Sequence, residues 1–136
     1  MGYDMYRIRE NGETEGYAEA SLNGGYFRLN VWGMSDAREE LHKIGIVREG
    51  AFPDPPASHD LADIDAWRIA SHGGDGPGIP VHKFCSNDGW VVTPLEVRSG
   101  VKYADEHFPG WPDTLSPHVA EFVEWMEASD RGFEVW

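Results

Sequence analysis

The chain carries six histidines, His42, His59, His72, His82, His107 and His118, and a single cysteine, Cys85. Imidazole suits acid–base work near neutrality and the binding of transition metals, so these positions are where chemistry would be sought first. His59 and Asp63 stand one helical turn apart, and His72 and Asp75 follow in the same stretch. Together they form a mixed nitrogen and oxygen donor set of the kind zinc takes. Asp63 is also explained without an ion, as an acid in the first turn of a helix capped by Asp60. That simpler account prevails, and no metal and no cofactor is expected. His82 and Cys85 lack the second pair that a structural zinc site needs. As a nucleophile, Cys85 would require a base or a helix N-terminus beside it, and a small apolar side chain in a turn is the simpler role. Residues 73–78 are glycine-rich, yet an acid stands among them and no Lys-Ser/Thr follows, so they do not make a phosphate cradle. His72, His82 and Asp88 remain as acid–base candidates for a pocket near residues 73–90.

Carboxylates are the more abundant resource. Lys and Arg number 11 against 24 Asp and Glu, a net charge of −13. No basic stripe is available to neutralise phosphates or an anionic bilayer, so neither nucleic acid nor a membrane surface is an expected partner. The charge is uneven. From Asp105 to Trp136 there are eight acids (Asp105, Glu106, Asp113, Glu121, Glu124, Glu127, Asp130, Glu134) against Arg131 alone, leaving −7 in the last 32 residues. Six tryptophans add material for either a core or an interface. Trp125 falls about 60° outside the apolar stripe of its helix, at 100° per residue. It is thus either an exposed binding residue beside Glu121, Glu124 and Glu127 or a cover for the edge of the core.

The elements that must position these groups read as α+β. Turn signals at Asn11-Gly12 and Asn23-Gly24-Gly25 separate strands expected near 4–9, 16–22 and 26–32. A helix capped by Ser35 follows, with Ala37, Leu41 and Ile44 on its apolar face and Gly45 at its end. Pro53, Pro55 and Pro56 make a loop, and Asp60 caps a second helix that ends before Gly73. Residues 73–80 are a candidate hinge. Strands are expected at 79–84 and 89–92, paired as a hairpin. Thr93-Pro94-Leu95-Glu96 is a capping box with proline at the first helical position. Ser116-Pro117 opens the last helix in the same way, with Val119, Phe122, Val123 and Met126 as its buried stripe, and Phe133–Trp136 is a final strand. One domain of about four helices on a mainly antiparallel sheet is the expected architecture, with 40% hydrophobic residues to fill its core.

The segment Lys83-Phe84-Cys85-Ser86-Asn87-Asp88-Gly89-Trp90, with Thr93-Pro94-Leu95-Glu96 behind it, resembles a family of small uncharacterised bacterial proteins. In these a strand–turn–strand of the form Lys-Phe-x-Ser-Asn-x-Gly-Trp leads into Thr-Pro-x-Glu at a helix start. A later aromatic-rich helix runs into a Gly-Phe pair, here Gly132-Phe133. The resemblance spans residues 80–136. It implies a small α+β domain, carries no settled activity and transfers no functional residue.

One cysteine makes no intramolecular disulfide, the N-terminal residues lack a charged-then-apolar leader, and apolar runs are too short to span a bilayer. A cytoplasmic location is expected. Two functional classes fit these observations. The acid density favours a non-catalytic interaction protein of the immunity or inhibitor type, whose carboxylates engage a basic protein partner. The alternative is a small enzyme or ligand-binding domain built on His72, His82 and Asp88.

Overall fold

The computed structural model describes residues 2–14, 16–50, 52–71 and 76–136. His72, Asp75 and the first part of the candidate hinge therefore lie outside the described residues.

Four strands form the main sheet: β1 (Gly2–Arg7), β2 (Tyr26–Asn30), β5 (Trp90–Val92) and β6 (Phe133–Val135), in the order β2-β1-β6-β5, every pair antiparallel. Between β2 and β5 in the sequence lie α2 (Val31–Lys43), β3 (Val47–Arg48), α3 (Leu61–Ile69) and β4 (Ile79–Pro80). Strands β3 and β4 pair in parallel as a small second sheet, with Val47 opposite Ile79. The remaining helices are α1 (Tyr17–Asn23), α4 (Pro94–His107) and α5 (Pro117–Glu127), which makes five among the described residues of an α+β fold. Among the described residues no helix is long and apolar enough to cross a membrane.

The last residues of the chain form the middle of the sheet. β6 lies between β1 and β5, with Val135 opposite both Met5 and Trp90. Alternation then turns Phe133 and Val135 to the face that also carries Met5, Leu29, Trp90 and Val92. Helices α2 and α5 cover that face with Met34, Ala37, Leu41, Phe122 and Met126, and all of these side chains belong to one continuous core.

Three local expectations are corrected. Residues 17–23 are helical, because Ala18, Glu19, Ala20 and Leu22 are good helix formers and Gly24 (φ 79°) supplies a left-handed C-cap. The strand expected to 32 stops at Asn30, whose side chain accepts from the Gly33 N–H at 2.7 Å and starts α2 five residues before Ser35. That early start leaves Trp32 on the helix surface, 78% exposed. The segment 79–84 makes no hairpin with β5. After two residues of β4 it tightens into a 3₁₀ turn, Val81–Phe84, which buries Lys83 and Phe84. The expected capping box is present in full, with Thr93 Oγ1 accepting from the Glu96 N–H and Glu96 from the Thr93 N–H. Beyond the undescribed residues the candidate hinge is tied down: Gly78 donates its N–H to Ser99 Oγ, and Ile79 donates to the Ile46 carbonyl.

The most unusual feature of the interior is a buried ion pair. Lys83, 0% exposed, donates from Nζ to Glu96 Oε1 at 2.9 Å, to the Val91 carbonyl at 2.6 Å and to the Ile69 carbonyl at 2.9 Å. The ammonium has three protons and all three are used. Burial pushes the proton affinity of Lys83 down, while the Glu96 carboxylate pulls it back up. Glu96, 5% exposed, thus closes the α4 capping box and neutralises Lys83. The two ends of the segment 83–96 are thereby joined by charge.

Candidate functional site

Helix α5 begins at Pro117 with Ser116 as N-cap, but the Ser116 hydroxyl does not cap the helix. Instead Glu40 on α2 accepts both the Ser116 N–H (2.6 Å) and its Oγ–H (2.8 Å), one on each carboxylate oxygen. The expected stripe of Val119, Phe122, Val123 and Met126 is buried. With that face committed to the core, Glu121, Glu124 and Glu127 are left exposed at intervals of three along the outer side.

Trp125 is not part of that outer surface. It is 8% exposed and donates its indole N–H to the Gly24 carbonyl at 2.7 Å. Its ring lies 5.0 Å from Phe133 and 5.7 Å from Phe27, with the Arg7 guanidinium 4.9 Å from its centroid. A position flanking the stripe is buried here because α1 and the start of β2 extend over the edge of the core. Trp111 is buried too, and gives its indole N–H to Asp105 at 2.7 Å.

Between α4 and α5 runs a groove of about 450 Å³. Its floor is Val97, Val101 and Met126, with Arg98 and Lys102 on the α4 side and Glu127 and Asp130 at the α5 end. Asp105 also reaches the groove, and its charge acts on Glu127. Partial burial, followed by the like charges of Asp105 and Glu124, raises the Glu127 carboxyl above its ordinary value of 4.5. A carboxyl raised in the folded state favours folding below the unfolded value, and that contribution is lost as the pH climbs through the folded one. Glu127→Gln is therefore expected to raise the thermal midpoint at pH 7, with the difference from wild type closing below about pH 4. Melting curves across that range check it. A gap that does not depend on pH would mean the carboxylates do not crowd one another.

The other candidates are dispersed. His59 and Asp63 are exposed at the start of α3, where Asp60 accepts from the Ala62 N–H as the cap; their proposed companions His72 and Asp75 lie outside the described residues. His82 is 1% exposed, its ring edge-on to Trp90 at 4.7 Å and beside Phe52 at 6.0 Å. Asp88 is exposed and its carboxylate accepts from Ser86 Oγ at 2.6 Å within the turn. Cys85 sits on the surface, its S–H directed to the Val81 carbonyl, and burial of the sulfur raises the thiol's proton affinity. This is the opposite of what a thiolate nucleophile needs.

Among the described residues, one convergence of histidine with carboxylates occurs where sequence reasoning did not look. Asp36 and Glu40 on α2 face His118 on α5, and one ligand atom from each lies within 4.8 Å of the others. His118 Nε2 stands 3.1 Å from Asp36 Oδ2. The i,i+4 spacing of Asp36 and Glu40 is visible in the chain, but His118 is 78 residues beyond Glu40 and only the packing of α5 on α2 brings it there.

No family model, no curated protein and no solved structure matches the chain.

Proposed function

We propose that this chain is a non-catalytic interaction protein that presents the outer face of α5 to a basic protein partner, in the manner of immunity and inhibitor proteins. The observation that carries the reading is the row Glu121, Glu124 and Glu127, exposed on one helix, with Asp105 close enough across the groove to act on Glu127. Crowded like charges are unfavourable in the free protein, and a bound cation relieves them. A fixed acidic face also speeds encounter with a basic surface. Trp125 has no part in this contact. The apolar component comes from half-buried Val101 in the adjoining groove, whose α4 side also carries Arg98 and Lys102.

A labelled arginine-rich peptide tests the reading by fluorescence anisotropy at low and at physiological salt. Wild type is expected to bind, with affinity falling as salt rises. Each exposed carboxylate is worth about 0.2–1 kcal/mol, so Glu121→Gln, Glu124→Gln and Glu127→Gln combined should weaken binding about tenfold. Neutralising the equally exposed Glu39, Glu49 and Asp54 should leave it unchanged. Equal losses in both triple variants would make the effect one of bulk charge and overturn the proposal.

A further inference from the structure

The junction of α2 and α5 holds a second, independent arrangement. We propose that Asp36, Glu40 and His118 bind a divalent transition-metal ion of the zinc class, with one coordination position left open to the cleft beside Trp32.

The donor set sets the class of ion. It offers one imidazole nitrogen and two carboxylate oxygens. Calcium takes six or more oxygens, and magnesium prefers carboxylates and water, whereas imidazole with carboxylate suits zinc, cobalt and nickel. A neutral imidazole and two ionised carboxylates balance a charge of +2.

The spacing also fits. Zinc bonds of about 2.1 Å in a tetrahedral arrangement separate ligand atoms by about 3.4 Å. The His118 Nε2 to Asp36 Oδ2 edge is 3.1 Å, and no edge of the triangle exceeds 4.8 Å. With Glu40 held by Ser116, the longer edges close by movement of the Asp36 and His118 side chains toward it. In the metal-free protein a hydrogen between Nε2 and Oδ2 joins these two side chains, and the ion takes its place.

The triad is also held from behind. Both oxygens of Glu40 are oriented by Ser116, through its N–H and its hydroxyl, and each oxygen keeps a further lone pair for a metal. Orientation of a ligating carboxylate by neighbouring hydrogen bonds is characteristic of functional metal sites. All three ligands come from helices, Asp36 and Glu40 from a helix of 13 residues, so the site does not depend on loop order.

The fourth position opens into a cleft of about 350 Å³ whose walls include Arg28, Asn30 and Trp32. Gly33 lines it as well, and a side chain there would come within 3.2 Å of Leu29 and 3.7 Å of the His118 ring. Three protein ligands with one open position is the pattern of metal sites that hold water or a small ligand. The Arg28 guanidinium on the wall is held by Asp4 at 2.7 Å.

Full-length protein freed of metal with a chelator would be titrated with cobalt(II) and with zinc(II). One equivalent per chain is expected, with visible absorption from cobalt in a low-coordinate nitrogen and oxygen field and a higher thermal midpoint with zinc. His118→Gln and Asp36→Asn, both at the surface, should each weaken binding at least tenfold. In histidine-selective NMR of the wild type, which needs no variant to fold, the His118 ring signals should be the first of the six to change with substoichiometric zinc. Absence of saturable binding, binding undiminished in His118→Gln, or first changes at another histidine would overturn the site.

Discussion

Lys83→Met is expected to cost about 3–5 kcal/mol of folding stability, a large part of what a domain of this size has. Methionine fills the volume but leaves Glu96, 5% exposed, as a buried carboxylate without its counter-charge. It also strands the Val91 and Ile69 carbonyls that Nζ satisfies. Glu96 cannot turn to water without releasing the Thr93 N–H and opening the first turn of α4. Adding Glu96→Gln to Lys83→Met removes the uncompensated charge and keeps an oxygen for the Thr93 N–H, so the double variant should recover a substantial part of the loss. Urea denaturation of the two single variants and the double closes the cycle. A cost below about 1 kcal/mol for Lys83→Met would mean that Glu96 does not depend on Lys83 as its counter-charge.

Gly100→Ala should destabilise the protein by about 1–3 kcal/mol, although the same change in an exposed helix interior gains up to about 1 kcal/mol. Gly100 faces inward on α4. A Cβ there would lie 2.8 Å from the Ile46 carbonyl oxygen, 3.0 Å from Ile46 Cα and 3.1 Å from Gly78 Cα. These are backbone atoms, which cannot rotate away. The chain on the other side is equally constrained. Gly78 has φ +99°, and its own Cβ would meet the Gly45 and Ile46 carbonyl oxygens at 2.8 Å. Gly78→Ala therefore adds backbone strain to the clash and should cost at least as much. The two glycines let α4 approach the β3–β4 pair at backbone distance. Thermal melts measure both, and a rise in midpoint for Gly100→Ala would show that this approach is looser than the geometry indicates.

Much of the architecture was legible where the governing interaction is local. Thr93 and Glu96, three residues apart, satisfy each other's backbone N–H, and Asp60 caps α3 through Ala62 two residues on. The α5 stripe is legible for the same reason, since helical spacing puts Val119, Phe122, Val123 and Met126 on one side whatever covers them. The carboxylates opposite follow by elimination, so the acidic face was readable before the fold.

What the sequence by itself determined is therefore the α+β class, the capped starts of α3 and α4 and the surplus of negative charge at the C-terminal end. Only the tertiary structure decided how those parts meet. Strand partners are chosen by long-range pairing, which is why β6 lies beside both β1 and β5 and residues 79–84 make no hairpin. Trp125, at the edge of a stripe, was ambiguous by periodicity and was settled by the Gly24 carbonyl, 101 residues away, that accepts its N–H. Lys83 with Glu96, and His118 with Asp36 and Glu40, have spacings no local rule links. Charges far apart in the chain meet only when packing supplies a position that desolvates or orients them. Such positions belong to the assembled core and not to any one segment.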